Sequence, residues 1–535
     1  MKIHVRRPNG ILPKQSDYQL GDEWATIAQN LKMFRGRWES YKEPLLKKTL
    51  PKIGGPYRAI YLFGATPGQP DSGFWFHWIS HVHVAKGPIP GDTQETTYFT
   101  GDGPPKYTNS AIATSGGTSY PTNSYLLGIV QPAATTTFVV TGATGDAENE
   151  TERRYAITYV SASGEEGPPS LLTSAKSFWE GQTATLSNIP GNPVGNYNIS
   201  TKRIYRTATG GRTDLYLAAQ IPVSQTTYVD NLPDSGLGEI IPSIGWEKPP
   251  ADMFGIGVLS NGIGYGFSKN QVCVSQPYQM HAWDPLTRVN TDYALVGGGH
   301  FSNTIVALTR KNPYLVTGYD PNSMTSEELN IGQACVSARS IVSSKYGVIY
   351  ASPDGLISIN GNGAENITKD FYTSEQWRAL NPETMHGVMH EDRYYCFYSG
   401  GCLVIDPQYL DRGIVKVAVN ADTAFKDPLT DRLYITQGQN LLIWDEGEPL
   451  LYLWTSKRFS FSRDVKLTAV KVYAQDYTGV KMKFYIDGDP FYTKLVLDRK
   501  SFRIPCKKTR DFQFLIESSS VVDEIMIAQT PSELI

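Results

Sequence analysis

At 535 residues the chain is too long for one typical hydrophobic core, and two to four domains are expected. About 40% hydrophobic and 19% charged residues exclude a disordered chain. The net charge of −3 hides a segregation: residues 1–60 carry 12 Lys/Arg against 5 Asp/Glu, residues 61–455 carry 23 against 37, and residues 456–535 carry 14 against 10. Basic ends flanking an acidic middle suit assembly through complementary charge. The acidic middle speaks against a large nucleic-acid grip, which needs a positive field.

No stretch approaches the roughly 18–20 uninterrupted apolar residues of a membrane-spanning helix. The opening MKIHVRRPNGILPKQ lacks the apolar core of a signal peptide, so folding in a cytoplasm is expected. Thirty-two Tyr beside 49 Gly and 34 Pro suit short strands joined by tight turns.

Along the chain, residues 17–39 read as a helix: Trp24, Ile27, Leu31 and Phe34 recur at spacings of three and four, with Ala28 beside them and Asp17 or Asp22 as a cap. From Tyr57 to about Val130, short apolar runs alternate with Gly- and Pro-rich segments. Over 131–245 the pattern becomes apolar/polar alternation in roughly seven strands. That suits an inserted immunoglobulin- or fibronectin-III-like sandwich, with Tyr155, Tyr159, Ile204, Tyr205 and Tyr228 as core residues. Between 246 and 455 five two-strand units start near 256, 303, 345, 392 and 431, a spacing of propeller blades. The expected architecture is mainly β and multidomain. It comprises an N-terminal segment 1–56 with the amphipathic helix, a discontinuous irregular β-propeller-like domain 57–130 plus 246–455, the insertion 131–245, and a separate C-terminal β-sandwich 456–535.

Residues with chemical potential are few. His77, His81 and His83 share strand parity and could line up for a metal, yet Trp75, Phe76 and Trp78 around them favour packing. His386 and His390 are four apart with Glu391 following, but the order is not HExxH. SPDGLISI at 352–359 resembles the Ser-x-Asp-x-Gly turn of sialidase-type propellers, itself structural, but lacks the tryptophan that usually closes it, and GGGH at 297–300 reads as a turn. Cys273, Cys335, Cys396, Cys402 and Cys506 form no CxxC pair, so buried reduced thiols are expected. No carboxylate pair, GxSxG or phosphate loop stands out. No catalytic, cofactor-binding or metal residue is therefore assigned.

The first 110 residues carry a resemblance. TIAQNLKMFRGRWESYKEP, FWFHW and HVHVAKGPIPGDTQETTYFTGDGPPKYTN resemble the opening of tail nozzle proteins (tail tubular protein B-like) of short-tailed bacteriophages, the podoviruses. The matching positions are Ala28, Asn30, Gly36, Gly91, Asp92, Thr93, Gly101, Asp102, Gly103, Pro105 and Lys106. WTSKRFSFSR at 454–463, the RIYRT strand and the closing PSELI are also similar. The resemblance implies a structural virion protein at the tail tip and no enzyme: a homo-hexameric ring under the tail adaptor and portal complex, contacting tail fibres or spikes. Through it the double-stranded genome passes without sequence-specific binding. It implies no cofactor and no catalytic residues. The alternatives are a fibre or spike adaptor of the virion, and a β-propeller enzyme degrading surface polysaccharide.

Overall fold

The computed structural model describes residues 2–52, 54–66, 69, 72–208 and 214–534. The chain is mainly β and multidomain, built from propeller-type sheets and sandwiches; the one α-helix among the described residues is Ser374–Arg378. It divides into two compact units, one of residues 1–80, 308–313 and 329–535, the other of 81–307 and 314–328. These units cut across the expected propeller segment 57–130.

In the first unit the two-strand patterns read from sequence are hairpins that recruit outer strands. Gly347–Ser352 and Gly355–Asn360 grow into a four-stranded sheet with Val342–Ser344 and Gly363–Asn366. Arg393–Tyr398 and Gly401–Ile405 likewise take His386–His390 and Val415–Val417 on their two sides, within a larger sheet. Leu433–Gln437 and Asn440–Ile443 take Thr423–Lys426 on one side and, from far away in the chain, Leu45–Thr49 on the other.

Residues 17–39 are not a helix. Ala25–Gln29 is a strand that runs parallel to Val415–Val417 on one side and antiparallel to Tyr452–Ser456 on the other, with a register shift between Ala25 and Ile27. The strands Leu31–Lys32 and Glu39–Ser40 follow as a small ribbon. Local spacing favoured a helix, but backbone pairing with two distant strands overrides it. The apolar stripe is not one-sided either: Ile27 stays 45% exposed while Ala28 is buried.

The C-terminal sandwich is present but not separate. One of its sheets is Lys2–Val5, Val522–Ala528, Ala469–Ala474 and Phe502–Arg503, so the first strand of the chain pairs with the last. The other, with Lys481–Ile486, Asp489–Leu495 and Thr509–Ser518, is continuous through Tyr452–Ser456 and Ala25–Gln29 with the blade at 386–417, ten strands in all. Lys481–Ile486 shows why it folds this way: Met482, Phe484 and Ile486 are buried while the residues between them are half-exposed. Each such burial contributes about 1.5–3 kcal/mol. A single apolar cluster runs from Val5 through Trp38, Phe397, Trp454 and Phe514 to Ile527.

In the second unit, His83–Lys86, Thr97–Thr100, Lys106–Thr108 and Tyr125–Leu126 form one blade-like sheet, and the hairpins at Phe254–Ser268 and Thr304–Thr317 lie in two more. The insertion is a sandwich. Thr137–Thr141, Thr183–Ser187 and Tyr228–Asp230 form one sheet, and Tyr155–Ser161, Ile199–Thr207 and Leu215–Pro222 the other. Phe138, Tyr155, Ile157, Phe178, Leu186 and Ile204 fill the space between, with Tyr228 packed against them. Tyr205 is buried on the other face of its sheet with Ala156, Leu215 and Ile241, and Tyr159, which shares the parity of Tyr155 and Ile157, is buried with Ile129 and Val223.

The sandwich also buries a charge network. Arg206 and Asp230 are fully buried, with Nε 3.0 Å from Oδ2, and Arg206 also bonds Asp234 at 2.6 Å. The Tyr155 hydroxyl donates to Asp230 at 2.6 Å, and the Arg153 guanidinium lies 3.3 Å over the Phe178 ring. Buried ions persist only when such partners compensate their lost hydration.

Candidate functional site

The residues that carry the resemblance work as turn and junction residues. Asn30 has φ +58° and is buried. Its amide nitrogen donates to Leu451 O at 2.9 Å, its side-chain oxygen accepts from Ala418 N at 2.8 Å, and its backbone bonds Lys416 and Tyr41. One residue that tolerates the left-handed region thus ties its own strand to the segments at 41, 416–418 and 451. Ala28 is buried beside it, and Gly36, at φ +67°, ends a turn by donating to Met33 O at 3.0 Å.

Gly91, Asp92 and Thr93 form a turn in which the Asp92 carboxylate accepts from the backbone of Gln94 at 2.9 Å and Thr96 at 2.8 Å. Gly101 has φ +102°, and a Cβ there would stand 2.2 Å from His81 O. Gly103 is also left-handed, Pro105 O accepts from Leu127 N at 2.9 Å, and Lys106 reaches Asp102 at 2.8 Å.

The histidines are packing residues. The strand holding His77 ends at Trp78, so the parity that would align it with His81 and His83 is lost. His77 Nδ1 lies 3.0 Å from Trp75 O, and the His81 and His83 rings stand 4.4 Å apart. Desolvation lowers the His83 pKa to about 4. His386 and His390 lie on a strand rather than a helix; His386 stacks on Phe397 with ring centroids 5.1 Å apart. Its Nε2 is buried without a hydrogen bond, and burial, with Arg339 and Arg58 nearby, lowers its pKa to about 3. Among the described residues no group of three His, Cys, Asp or Glu is placed to hold a metal ion.

Ser352 closes a hairpin turn by donating to Gly355 O at 2.9 Å, and Asp354 O accepts from Asn366 at 2.9 Å. GGGH is not a turn but lies within the strand Leu295–Phe301. Gly298 is there because a Cβ would meet Val306 O at 2.3 Å and the Phe267 ring at 2.4 Å. Four cysteines are buried and Cys506 is exposed; all are free. Among the described residues no helix is long and apolar enough to cross a membrane.

Two clefts remain. One, in the second unit, holds about 350 Å³ between Ile129–Gln131, Pro168–Pro169 and Gly245–Lys248. Its Trp246 ring stands edge-on to His281 at 5.7 Å. The other, in the first unit, holds about 490 Å³ and is polar, formed by Arg7–Asn9, Glu23, the turn Met33–Gly36 and Asp411–Arg412. Its walls are locked by backbone bonds: Asn9 N to Glu23 O at 2.7 Å, Gly10 N to Arg412 O at 2.7 Å and Ala25 N to Gly10 O at 3.1 Å. Trp454 Nε1 donates to Asn9 O at 3.0 Å. Gly10 is required, since a Cβ would stand 2.4 Å from Ile414 O. Of these residues the sequence singled out only Phe34 and Gly36, and not as a site, because the cleft joins segments nearly 400 positions apart.

The sequence matches no protein-family model and no curated protein. Among solved structures it is similar to the WD40 domain of Pan2 from Neurospora crassa, with TM-score 0.27 and 9% identity over 52% of this chain and 86% of that one. An exo-β-1,3-galactanase from Phanerochaete chrysosporium gives TM-score 0.21 and 10% identity, covering 64% and 99%. PorZ, a surface component of the type-IX secretion system of Porphyromonas gingivalis, gives 0.27 and 10%, covering 81% and 62%. Likenesses this low carry no argument about family or activity.

Proposed function

We propose that the chain is a structural virion protein, a subunit of a hexameric tail nozzle of a short-tailed bacteriophage. In this reading it docks under the adaptor ring, retains the packaged genome and conducts it out at ejection. The observation that carries the reading is the character of the matched residues. Asn30, Gly36, Gly91, Asp92, Gly101 and Lys106 all fix turns or tie segments together. A resemblance made of such residues points to a shared scaffold rather than shared chemistry.

Two further features agree. Sheets interlocked from both ends of the chain resist deformation, as a tube wall around pressurised DNA must. The acidic middle of the sequence, 23 Lys/Arg against 37 Asp/Glu, disfavours sticking of a passing polyanion. A six-fold ring requires heterologous contacts that close, and basic ends meeting an acidic neighbour supply complementary charge.

The test is fractionation of the particles that carry this chain. Detached tails should retain it at six copies per particle, measured by quantitative mass spectrometry. Recovery with the capsid shell, or in three copies with a fibre, would contradict the nozzle.

A further inference from the structure

We infer that the polar cleft of Arg7, Glu23, Arg35, Asp411 and Arg412 is a binding site for an acidic saccharide: a sugar carboxylate on the arginines, ring hydroxyls on the two carboxylates. The cleft is concave, rigid-walled and about 490 Å³ in volume, within the ordinary range of small-ligand sites. Five charged side chains line it. Among the described residues, four of them (Arg7, Glu23, Asp411 and Arg412) have no oppositely charged side chain within 4 Å, and Arg35 reaches Glu39 only at 3.5 Å. Arg7, Arg35 and Asp411 are exposed and the Arg412 guanidinium also lies 4.3 Å over the Tyr409 ring, so the concavity gathers both signs of charge where one ligand can meet several at once.

The mixture of signs selects the ligand. A guanidinium presents donors in a planar fork that matches a carboxylate. Ionised Glu23 and Asp411 only accept, so their partners must be donors, and a sugar supplies hydroxyls. A phosphate dianion would gain the arginines but face both carboxylates at close range. A neutral sugar would leave the arginines unpaired. A uronate ring, with one carboxylate and several hydroxyls on the same ring, satisfies both sets. The wall beside them is fixed: the Phe34 ring carries the Arg393 guanidinium 3.1 Å over one face and stands edge-on to Tyr41 at 6.4 Å. This site stands independently of the nozzle reading, since it needs only this chain.

Calorimetric titration of the full chain with trigalacturonate, maltotriose and inorganic phosphate tests it. Trigalacturonate should bind saturably at one site. Arg7→Gln should weaken it at least tenfold and Asp411→Asn severalfold, while the circular dichroism of each variant matches the parent. If Arg7→Gln does not fold, Arg35→Gln on the exposed turn is read instead, with the same expected loss. Phosphate binding as tightly as trigalacturonate, equal affinity for maltotriose, no saturable binding, or binding unaffected by these substitutions would each overturn the inference.

Discussion

The described residues hold a sandwich in the insertion and another near the C-terminus, and the two are built on opposite principles. The insertion nearly closes on itself: among the described residues its sheets pair strands between Thr137 and Asp230, and the layer between them is filled from the same stretch, with Ile129 and Ile241 added from the flanks. The C-terminal sandwich takes an edge strand from Lys2–Val5, and its second sheet runs on into a propeller-type blade. Its core is one piece with that blade. Sheet continuity, rather than sandwich architecture, therefore decides whether such a domain unfolds by itself or only with its surroundings.

That contrast can be broken or sharpened by substitution. The largest effect is expected from Val5→Asp, which puts a charge at a fully buried position in the strand that joins the two chain ends. A loss above about 4 kcal/mol follows from burying an unpaired charge. Hydrogen exchange should show protection lost at 469–474, 522–528 and across the ten-stranded sheet, with the insertion unaffected. Loss confined to Lys2–Val5 would refute the shared core.

Arg206→Met should come next. It removes the nearest cation from Asp230 at zero exposure, leaving only the Tyr155 hydroxyl and Arg153 at 3.9 Å, and costs about 3–5 kcal/mol. Here exchange should rise only between 137 and 230. Asn30→Ala removes both side-chain bonds and leaves a left-handed backbone without the residue that tolerates it, costing about 2–4 kcal/mol in urea unfolding. Asn30→Gly should relieve the strain but not the lost bonds, and so recover only part of the stability.

Acid should also separate the two regions. The insertion contains no histidine, whereas His386 lies buried in the first unit. Its pKa is about 3 folded against about 6.5 unfolded, so the unfolded chain binds the proton first as pH falls. Stability from this residue is complete above pH 6.5 and is lost progressively below it, by about 2 kcal/mol at pH 5. His386→Gln should flatten that slope, read from urea midpoints between pH 7 and 5. An unchanged slope would mean that His386 does not control it.

Much of this was legible from sequence, and the failures have one cause. Hairpins such as YGVIYASPDGLISIN announce themselves because alternation and turn residues are local. The insertion was legible for the same reason. The strand at Ala25–Gln29 was not, because its helical spacing is local and its partners lie near 416 and 454. GGGH failed likewise, since Gly298 answers to a backbone approach from Val306 that no window of sequence contains. The charged cleft was invisible on the same ground, with Arg7 and Arg412 brought together only by the fold.

The measurement that tests the central claim most directly is cryo-electron microscopy of the tail of particles carrying this chain. Six copies of the chain around a channel wide enough for duplex DNA, placed at the distal end of the tail, is the predicted result. A trimer, a fibre-bound position, or a chain found outside the conduit would contradict it.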